Sequence, residues 1–181
     1  METREVNINR VIIRNKQHRL FPSIRFTSSG SITKWIVGAG TSSGSSSLSE
    51  LQIWRQSGQV YTKVGSTQLT AQSPTSDPNV YEYILSTPLE FQEGDILGVY
   101  QNSGSSIVPY YQENTGPVNR RDINLVNNPL NSLMNPPLAA EYDYPLVTVE
   151  VAGTLYAKLR FMHCMYCFID FYSYRYCVKF S

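Results

Sequence analysis

The residues best suited to hold a ligand form one short run, Tyr110-Tyr111-Gln112-Glu113-Asn114. A sugar-binding site stacks the ligand on an exposed aromatic ring and bonds its hydroxyls to amides and carboxylates. This run supplies all three kinds of group, so Tyr110, Tyr111, Gln112, Glu113 and Asn114 are the candidate ligand-binding residues. Because adjacent residues of a strand face opposite sides, only one of the two tyrosines can belong to a core.

Catalytic chemistry has few candidates. The chain has two histidines, His18 and His163, and His18 lies among Lys16, Gln17 and Arg19, which is typical of a solvated surface. No nucleophile elbow, P-loop, dinucleotide-binding glycine motif or His-Glu-x-x-His pair is present. The serine-rich stretches have no neighbouring base to activate a hydroxyl. We therefore predict that the protein is not an enzyme and that it has no catalytic residue and no cofactor.

Two groups of carboxylates could offer oxygens to calcium. One group is Glu141 with Asp143, and the other is Glu90, Glu93 and Asp95. Neither shows the dense alternation of acidic residues that a dedicated calcium loop has. Turn and capping roles are therefore favoured, and we predict no metal site.

The C-terminal segment from Leu159 to Ser181 differs in composition from the rest of the chain. It holds all three cysteines, Cys164, Cys167 and Cys177, and residues 1–158 hold none. A disulfide framework is therefore excluded for the body of the protein. We predict a β-sandwich module over residues 1–154 and an undocked tail over residues 155–181.

Three interpretations of this tail are open. His163 with the Cys164-x-x-Cys167 pair has one element of a zinc site, but a second well-spaced ligand pair is missing. A membrane anchor would need a longer apolar run, and Asp170 and Arg175 interrupt this one. The favoured interpretation is a non-native or poorly packed end.

Composition and charge exclude further classes of protein. The 181 residues carry 15 Lys+Arg against 14 Asp+Glu, and only 16% of the residues are charged. Nucleic-acid binding needs a clustered basic surface, so no nucleic-acid partner is expected. No run reaches the roughly 18 apolar residues of a membrane span, so no transmembrane segment is expected. The first residues, Met-Glu-Thr-Arg-Glu-Val, lack the apolar stretch of a signal peptide.

The elements that must position these groups are short strands. Apolar segments rich in β-branched and aromatic residues, several of them alternating with period two, are separated by Gly, Ser, Pro and Asn clusters. The predicted strands are Val6–Ile13, Leu20–Thr27, Ser31–Val37, Leu51–Arg55, Val60–Gly65, Val80–Leu85, Asp95–Gln101, Ile107–Gln112 and Leu146–Val151. Helical periodicity is limited to one short turn at Pro137–Tyr142. This pattern predicts an all-β, two-sheet antiparallel sandwich, jelly-roll-like, with an atypical C-terminal extension.

The same pattern predicts turns, long connections and a core. Arg55–Gln59 reads as a hairpin in which Gly58 takes a positive φ, and Glu93–Asp95 reads as a second tight turn. Two long connections, Gly38–Glu50 and Asn114–Tyr144, stand apart. We expect Trp35 and Trp54 to serve as core residues. The other residues predicted to be largely buried are Ile32, Ile36, Ile53, Val64, Ile96 and Val149.

The order of several motifs resembles a known module. The motifs are Phe21-Pro22-x-Ile24-x-Phe26-Thr27, Ser29-Gly30-x-Ile32-x-Lys34-Trp35-Ile36, Leu51-Gln52-Ile53-Trp54-Arg55, Glu93-Gly94-Asp95-Ile96-x-Gly98-Val99-Tyr100 and Tyr142-x-Tyr144-Pro145-Leu146-Val147-Thr148-Val149. Residues 4–151 resemble an uncharacterised N-terminal β-sandwich module of large secreted or membrane-anchored proteins of sponges and other early-branching animals. The resemblance implies an extracellular or cell-surface location and no catalytic motif. Ser28 stands where such modules are expected to have a cysteine.

Two functions follow as expectations. The first is a non-enzymatic extracellular recognition or adhesion module that binds a protein or glycan partner through its long loops. The alternative is a lectin-like carbohydrate-binding jelly roll, in which an exposed tyrosine and nearby amides hold a sugar, with calcium as a possible aid.

Overall fold

The computed structural model describes residues 17–38, 49–70, 80–101, 108, 110–112, 120–124, 130–139, 143–152 and 159–161. Every regular element within these ranges is a β-strand. The strands are β1 (Gln17–Phe26), β2 (Gly30–Gly38), β3 (Ser49–Ser57), β4 (Val60–Gln68), β5 (Val80–Phe91), β6 (Ile96–Gln101), β7 (Tyr110–Gln112), β8 (Arg121–Asn124), β9 (Ser132–Met134), β10 (Asp143–Pro145), β11 (Val147–Val151) and β12 (Leu159–Phe161).

The strands form two main antiparallel sheets. The large sheet has the order β12-β1-β6-β3-β4-β9, and β8 also pairs with β1. The small sheet has the order β11-β2-β5, and β7 pairs with β10 in a separate two-stranded ladder. The predicted all-β, two-sheet antiparallel sandwich is confirmed.

The main core lies between the two sheets. Trp35 is fully buried in it, and the indole Nε1–H of Trp35 donates to the Thr67 hydroxyl of the other sheet at 2.9 Å. Phe26 stacks on Phe91 across the sandwich with their ring centroids 4.2 Å apart. Aliphatic residues from both sheets fill the remaining space: Ile24, Ile32, Val37, Leu51, Ile53, Leu97, Val99 and Val147.

A second apolar cluster lies on the outer face of the large sheet. Its buried members are Leu20, Trp54, Tyr61, Ile96 and Leu133, which we call the outer cluster. The large sheet is thus buried on both faces, which explains why every residue of β6 is buried although a half-exposed strand would alternate.

The outer cluster is covered by residues 120–124 and 130–139, which we call the covering segment. Its strand β8 pairs with β1, and its strand β9 pairs with β4 on the other side of the large sheet. A β-bridge between Arg121 and Leu138 ties its two parts together. This part of the predicted Asn114–Tyr144 connection is therefore packed against the sheet, contrary to the expectation of a loop that reaches a partner. The helical turn expected at Pro137–Tyr142 is wrong over 137–139, because Leu138 forms an isolated β-bridge with Arg121 and its neighbours are not helical.

The turns agree with the sequence. Gly58 has a φ of 59° in the β3–β4 hairpin, and Gly94 has a φ of 87° in the β5–β6 turn. These left-handed conformations suit glycine, which has no Cβ to clash. The predicted strand Val6–Ile13 and residues 39–48 of the Gly38–Glu50 connection lie outside the described residues.

Burial differs from the prediction at three positions. Ile32, Ile53 and Ile96 are fully buried, Ile36 and Val149 are half-buried, and Val64 is 42% exposed. The reason at Val64 is a β-bulge. Ile53 pairs with Gly65 while Trp54 pairs with Lys63, so Val64 has no partner across the ladder and is turned outward.

The predicted tail enters the description at three residues only. Leu159–Phe161 is extended and pairs with Ile24–Phe26 at the end of β1. Residues 155–158 and 162–181, including the three cysteines and His163, lie outside the described residues.

Candidate functional site

Tyr110 is the core member of the predicted Tyr110–Asn114 site. Its side chain is 2% exposed, its ring stacks beside Phe21 with centroids 6.3 Å apart, and the Arg19 guanidinium lies 4.6 Å from the ring centroid. Burial raises the pKa of the Tyr110 phenol, so the ring is neutral at ordinary pH. Tyr110 therefore binds a cationic group of its own chain instead of presenting a face to solvent.

The rest of this predicted site is described only through its backbone. Tyr110–Gln112 forms β7, in which Tyr111 pairs with Tyr144 and Gln112 pairs with Asp143. The side chains of Tyr111 and Gln112, and the whole of Glu113 and Asn114, lie outside the described residues. The structure brings the backbone of 110–112 beside β10 and leaves the proposed ligand contacts as a prediction.

Both tryptophans are structural, as the sequence predicts. Trp35 and Trp54 are each 0% exposed, and the Nε1–H of Trp54 donates to Gln52 Oε1 at 2.9 Å. The two rings belong to different clusters, Trp35 between the sheets and Trp54 on the outer face. Among the aromatic side chains whose burial is described, Tyr81 is half-buried and all the others are buried.

His18 is the position at which sequence reasoning was furthest from the structure. The polar neighbours of His18 indicated a solvated surface, but the imidazole is 0% exposed. It lies under the covering segment, edge-on to Trp54 at 5.8 Å and tilted against Tyr100 at 4.7 Å between ring centroids. Burial is the main reason that the pKa of His18 falls from 6.5 to about 4. The hydrogen bond that His18 donates to Gln52 opposes this fall in the pKa, and the positive charge of Lys63 adds to it.

The two imidazole nitrogens have different partners. The backbone N–H of Leu130 donates to Nε2 at 2.9 Å, so Nε2 must carry the lone pair. The Nδ1–H then donates to Gln52 Oε1 at 3.2 Å, and Gln52 Nε2–H donates to Glu50 Oε2 at 2.9 Å. This chain of hydrogen bonds satisfies a buried neutral histidine. The signal that could have found it is the spacing of Glu50, Gln52 and Trp54, because i, i+2 and i+4 share one face of a strand.

The acidic residues Glu90 and Asp95 have separate hydrogen-bond partners near one end of the sandwich, where Glu93 also lies. Asp95 is 1% exposed, and its carboxylate accepts hydrogen bonds from Nε and Nη2 of Arg55, at 2.8 and 2.9 Å. Glu90 accepts the Ser31 hydroxyl at 2.5 Å. Among the described residues no three His, Cys, Asp or Glu side chains are grouped as metal ligands would be.

A cleft of about 770 Å³ opens beside these carboxylates. Val64 and Leu89 give it an apolar part, and Arg55, Glu90 and Glu93 contribute its charges. Arg55 is occupied by Asp95, and Glu90 is occupied by Ser31. Most of the polar groups that face the cleft are therefore already used to hold the fold.

The strand ends divide the sandwich into two unlike ends. At the turn end, short connections join β1 to β2 (27–29), β3 to β4 (58–59) and β5 to β6 (92–95). Hydrogen bonds hold two of these turns together, since Phe26 N donates to Asp95 O and Gly94 N donates to Phe26 O, each at 2.9 Å. Backbone contacts thus hold the turn end together, and the cleft beside Glu90 and Glu93 opens at this same end.

At the opposite end the register aligns the strand termini from which longer connections leave. Gln17 and Ser49 both pair with Gln101 in the large sheet, and Gly38 pairs with Val80 in the small sheet. The connections that leave these termini are residues 39–48, 71–79 and 102–109, which are rich in Ser, Gly, Asn and Pro.

No helix within the described ranges has the length and apolarity that crossing a bilayer requires.

Comparison with known proteins found no relative. A scan against protein-family models, a search of curated proteins and a search of solved structures each gave no match.

Proposed function

We propose that this chain is a non-enzymatic recognition or adhesion module of the extracellular or cell-surface kind that its sequence resembles, and that it binds a protein or glycan partner. The observation that supports the proposal is the difference between the two ends of the sandwich. Three long connections leave the end opposite to the turns, whereas short turns join the strands at the turn end. A scaffold of this form holds several connecting segments at one place, which is how many binding domains are built.

The rigidity of the scaffold supports the same proposal. The large sheet is buried on both faces, and the small sheet is tied to it by the Trp35–Thr67 hydrogen bond and by the stacking of Phe26 on Phe91. A rigid frame reduces the entropy that is lost when the segments it carries bind a partner. The aromatic rings inside the frame are used for this purpose and not for ligand contact.

The lectin alternative now rests on Tyr111, because Tyr110 is buried against Phe21 and Arg19. Glycan and protein partners share the same supporting observation, the end opposite to the turns. The two proposals differ in whether this protein recognises a sugar or a protein surface, and a single set of binding experiments distinguishes them.

The test uses the full chain, biotinylated and tetramerised on streptavidin, on a glycan array with and without calcium and on cell surfaces. Cells treated with protease or with glycosidases identify the class of partner. Ser43→Arg and Ser46→Arg place charge in the 39–48 connection, and Gln59→Arg and Gln92→Arg are the matched controls in exposed turns. We expect the first pair to weaken binding by about tenfold or more, which is about 1.4 kcal/mol, and the control pair to leave it unchanged.

Two outcomes would contradict the proposal. Saturable binding that only the turn-end changes weaken would place the site at the wrong end. The absence of saturable binding to any array or cell surface would remove the function itself. Sugar binding that Tyr111→Ala abolishes would instead favour the lectin alternative.

A further inference from the structure

The contact between His18 and Leu130 joins the outer face of the large sheet to the covering segment. Residues 130–139 of the covering segment are also held by the β9–β4 ladder and by the bridge of Leu138 to Arg121. Two further backbone bonds, from Lys63 N to Asn131 O and from Asn135 N to Gln59 O, are each 2.8 Å long. The His18 ring supplies the hydrogen bond at the start of this stretch, to Leu130 N at 2.9 Å, from a residue 112 positions earlier in the chain. One side-chain nitrogen therefore sets the position of Leu130.

The chemistry of this contact allows only one protonation state. A proton added to His18 Nε2 would place two donors, N–H against N–H, where one hydrogen bond now lies. The Nδ1–H is already committed to Gln52 Oε1, so the ring cannot turn over to offer another acceptor to Leu130. Protonation thus breaks the contact and leaves a charge buried among apolar rings.

The groups that face His18 do little to stabilise a positive charge. From β3, Glu50 reaches it only through Gln52, and Glu50 Oε2 also lies 4.0 Å from Lys63 Nζ of β4. From β6, the Tyr100 ring lies against the imidazole, and burial together with Glu50 raises the pKa of its phenol, so it is neutral. From β8, the residue paired with His18 is the apolar Ile123, and the covering segment adds the backbone of Leu130.

We propose that His18 is an acid-sensitive latch, whose protonation releases residues 130–134 of the covering segment from the outer face of the large sheet. The release is local, because it removes only the edge strand β9 from the large sheet and leaves the order β1-β6-β3-β4 in place. It uncovers part of the outer cluster, which includes Trp54, Tyr61 and Leu133. The consequence is an apolar surface that the protein exposes in acid and covers at neutral pH.

The size of the effect follows from proton linkage. The closed form binds the His18 proton with a pKa of about 4, and the open form has the ordinary value of 6.5. Relative to neutral pH, opening is favoured about 30-fold at pH 5 and about 150-fold at pH 4. Above pH 7 the opening equilibrium is independent of pH.

The test is amide hydrogen exchange of the full chain between pH 4 and pH 7.5, corrected for intrinsic exchange rates. The reporters are the amides of Leu130, Lys63 and Asn135, whose hydrogen bonds involve the covering segment. The reference amides are those of Trp35 and Tyr83, which pair with each other in the small sheet. We expect the protection of Leu130 to fall about sevenfold from pH 6 to pH 5 and about fivefold from pH 5 to pH 4, while the reference amides keep theirs.

The control variant is His18→Gln, which has an amide oxygen in place of the Nε2 acceptor and does not titrate. In it the protection of Leu130 should not depend on pH over this range. Equal loss at Leu130 and at the reference amides in the unchanged chain would mean global acid unfolding, and constant protection of Leu130 down to pH 4 would mean no latch. Either result overturns the proposal. Both are measured on the unchanged chain, so the test remains decisive even when His18→Gln does not fold.

Discussion

Arg55 and Asp95 form a two-pronged ion pair that links the β3–β4 hairpin to the β5–β6 turn. Arg55 Nε lies 2.8 Å from Asp95 Oδ1, and its Nη2 lies 2.9 Å from Asp95 Oδ2. The same carboxylate accepts the backbone N–H of Gln92 at 2.8 Å. Because Asp95 is 1% exposed, its charge depends on these donors for the solvation that water would otherwise provide.

The first prediction is that Asp95→Asn destabilises the fold by about 2–4 kcal/mol, since an amide cannot accept both nitrogens of the fork and a charged hydrogen bond is lost. The measurement is urea unfolding followed by tryptophan fluorescence. Glu90→Gln, an exposed carboxylate at the same end with one hydroxyl partner, is the control and should cost about 0.5 kcal/mol or less. Equal effects of the two changes would contradict the role assigned to Asp95.

The second prediction concerns the close approach of Gly98 to Trp54. A Cβ at position 98 would lie 2.5 Å from Trp54 Cδ1 and Nε1, and 3.1 Å from Leu20 Cδ2. The indole cannot retreat without losing its hydrogen bond to Gln52. We expect Gly98→Ala to cost about 1–3 kcal/mol through overpacking, and Trp54→Ala to cost about 3–5 kcal/mol through the cavity it leaves.

A double-mutant cycle distinguishes this steric effect from a loss of backbone freedom. When Trp54→Ala is already present, the added methyl at position 98 has room, and its cost should fall close to zero. An undiminished cost of Gly98→Ala in that background would show that Trp54 is not the cause. Circular dichroism at rising urea concentration gives all four free energies.

The sequence predicts the strands that are long and patterned. β1 to β6 and β11 each contain a segment that alternation and β-branched residues had indicated, and Gly58 has the positive φ that the hairpin required. The strands that the pattern missed are β8, β9, β10 and β12, and each has only three or four residues. Three or four residues are too few to show a two-residue alternation of apolar and polar side chains. Such a strand forms because a neighbouring strand pairs with it.

Burial was harder to predict than strand position, for a similar reason. His18 lies in a locally polar stretch, and the residues that contact its ring include Tyr100 and Leu130, which lie 82 and 112 residues further along the chain. Val64 is exposed because a bulge in β4 shifts the alternation by one residue. The burial of His18 and the exposure of Val64 cannot be predicted from their sequence neighbours, since both depend on which strands pair with each other and in which register.

For the candidate site, the sequence predicts that only one of the two adjacent tyrosines is buried, and the structure describes the side chain of Tyr110 alone. The sequence could not say which, because Tyr110 and Tyr111 are chemically alike and the choice depends on register. The structure assigns Tyr110 to the interior, where Phe21 and Arg19 enclose it.

The third prediction is that the tail contributes little to the stability of the sandwich. β12 pairs with β1 over only three residues at the edge of the large sheet. Truncation after Phe161 keeps this ladder, and truncation after Lys158 removes it. We expect each truncation to change the free energy of unfolding by about 1 kcal/mol or less, the scale of a surface change. A loss several times larger in either variant, measured by urea unfolding, would show that the tail is integral to the fold.

The last prediction is the pH dependence of global stability that His18 imposes. The native pKa is about 4 and the unfolded value is 6.5, so above pH 6.5 both states are neutral and stability is complete. As the pH falls from 6.5 to 4, His18 is protonated in the unfolded chain but stays largely neutral in the native state. The free energy of unfolding therefore decreases, by about 3 kcal/mol at most. Below about pH 3 both states are protonated and this contribution changes no further.

Other groups also titrate in acid, so the prediction is made on a difference. Urea unfolding of the unchanged chain and of His18→Gln is compared at pH 7, 6, 5 and 4. The stability of the unchanged chain relative to the variant should decline between pH 6.5 and 4, because only one of the two proteins carries the buried imidazole. A difference that stays constant over these four values of pH would show that His18 is protonated equally well in the native and unfolded states, and that Leu130 does not depend on its neutral form.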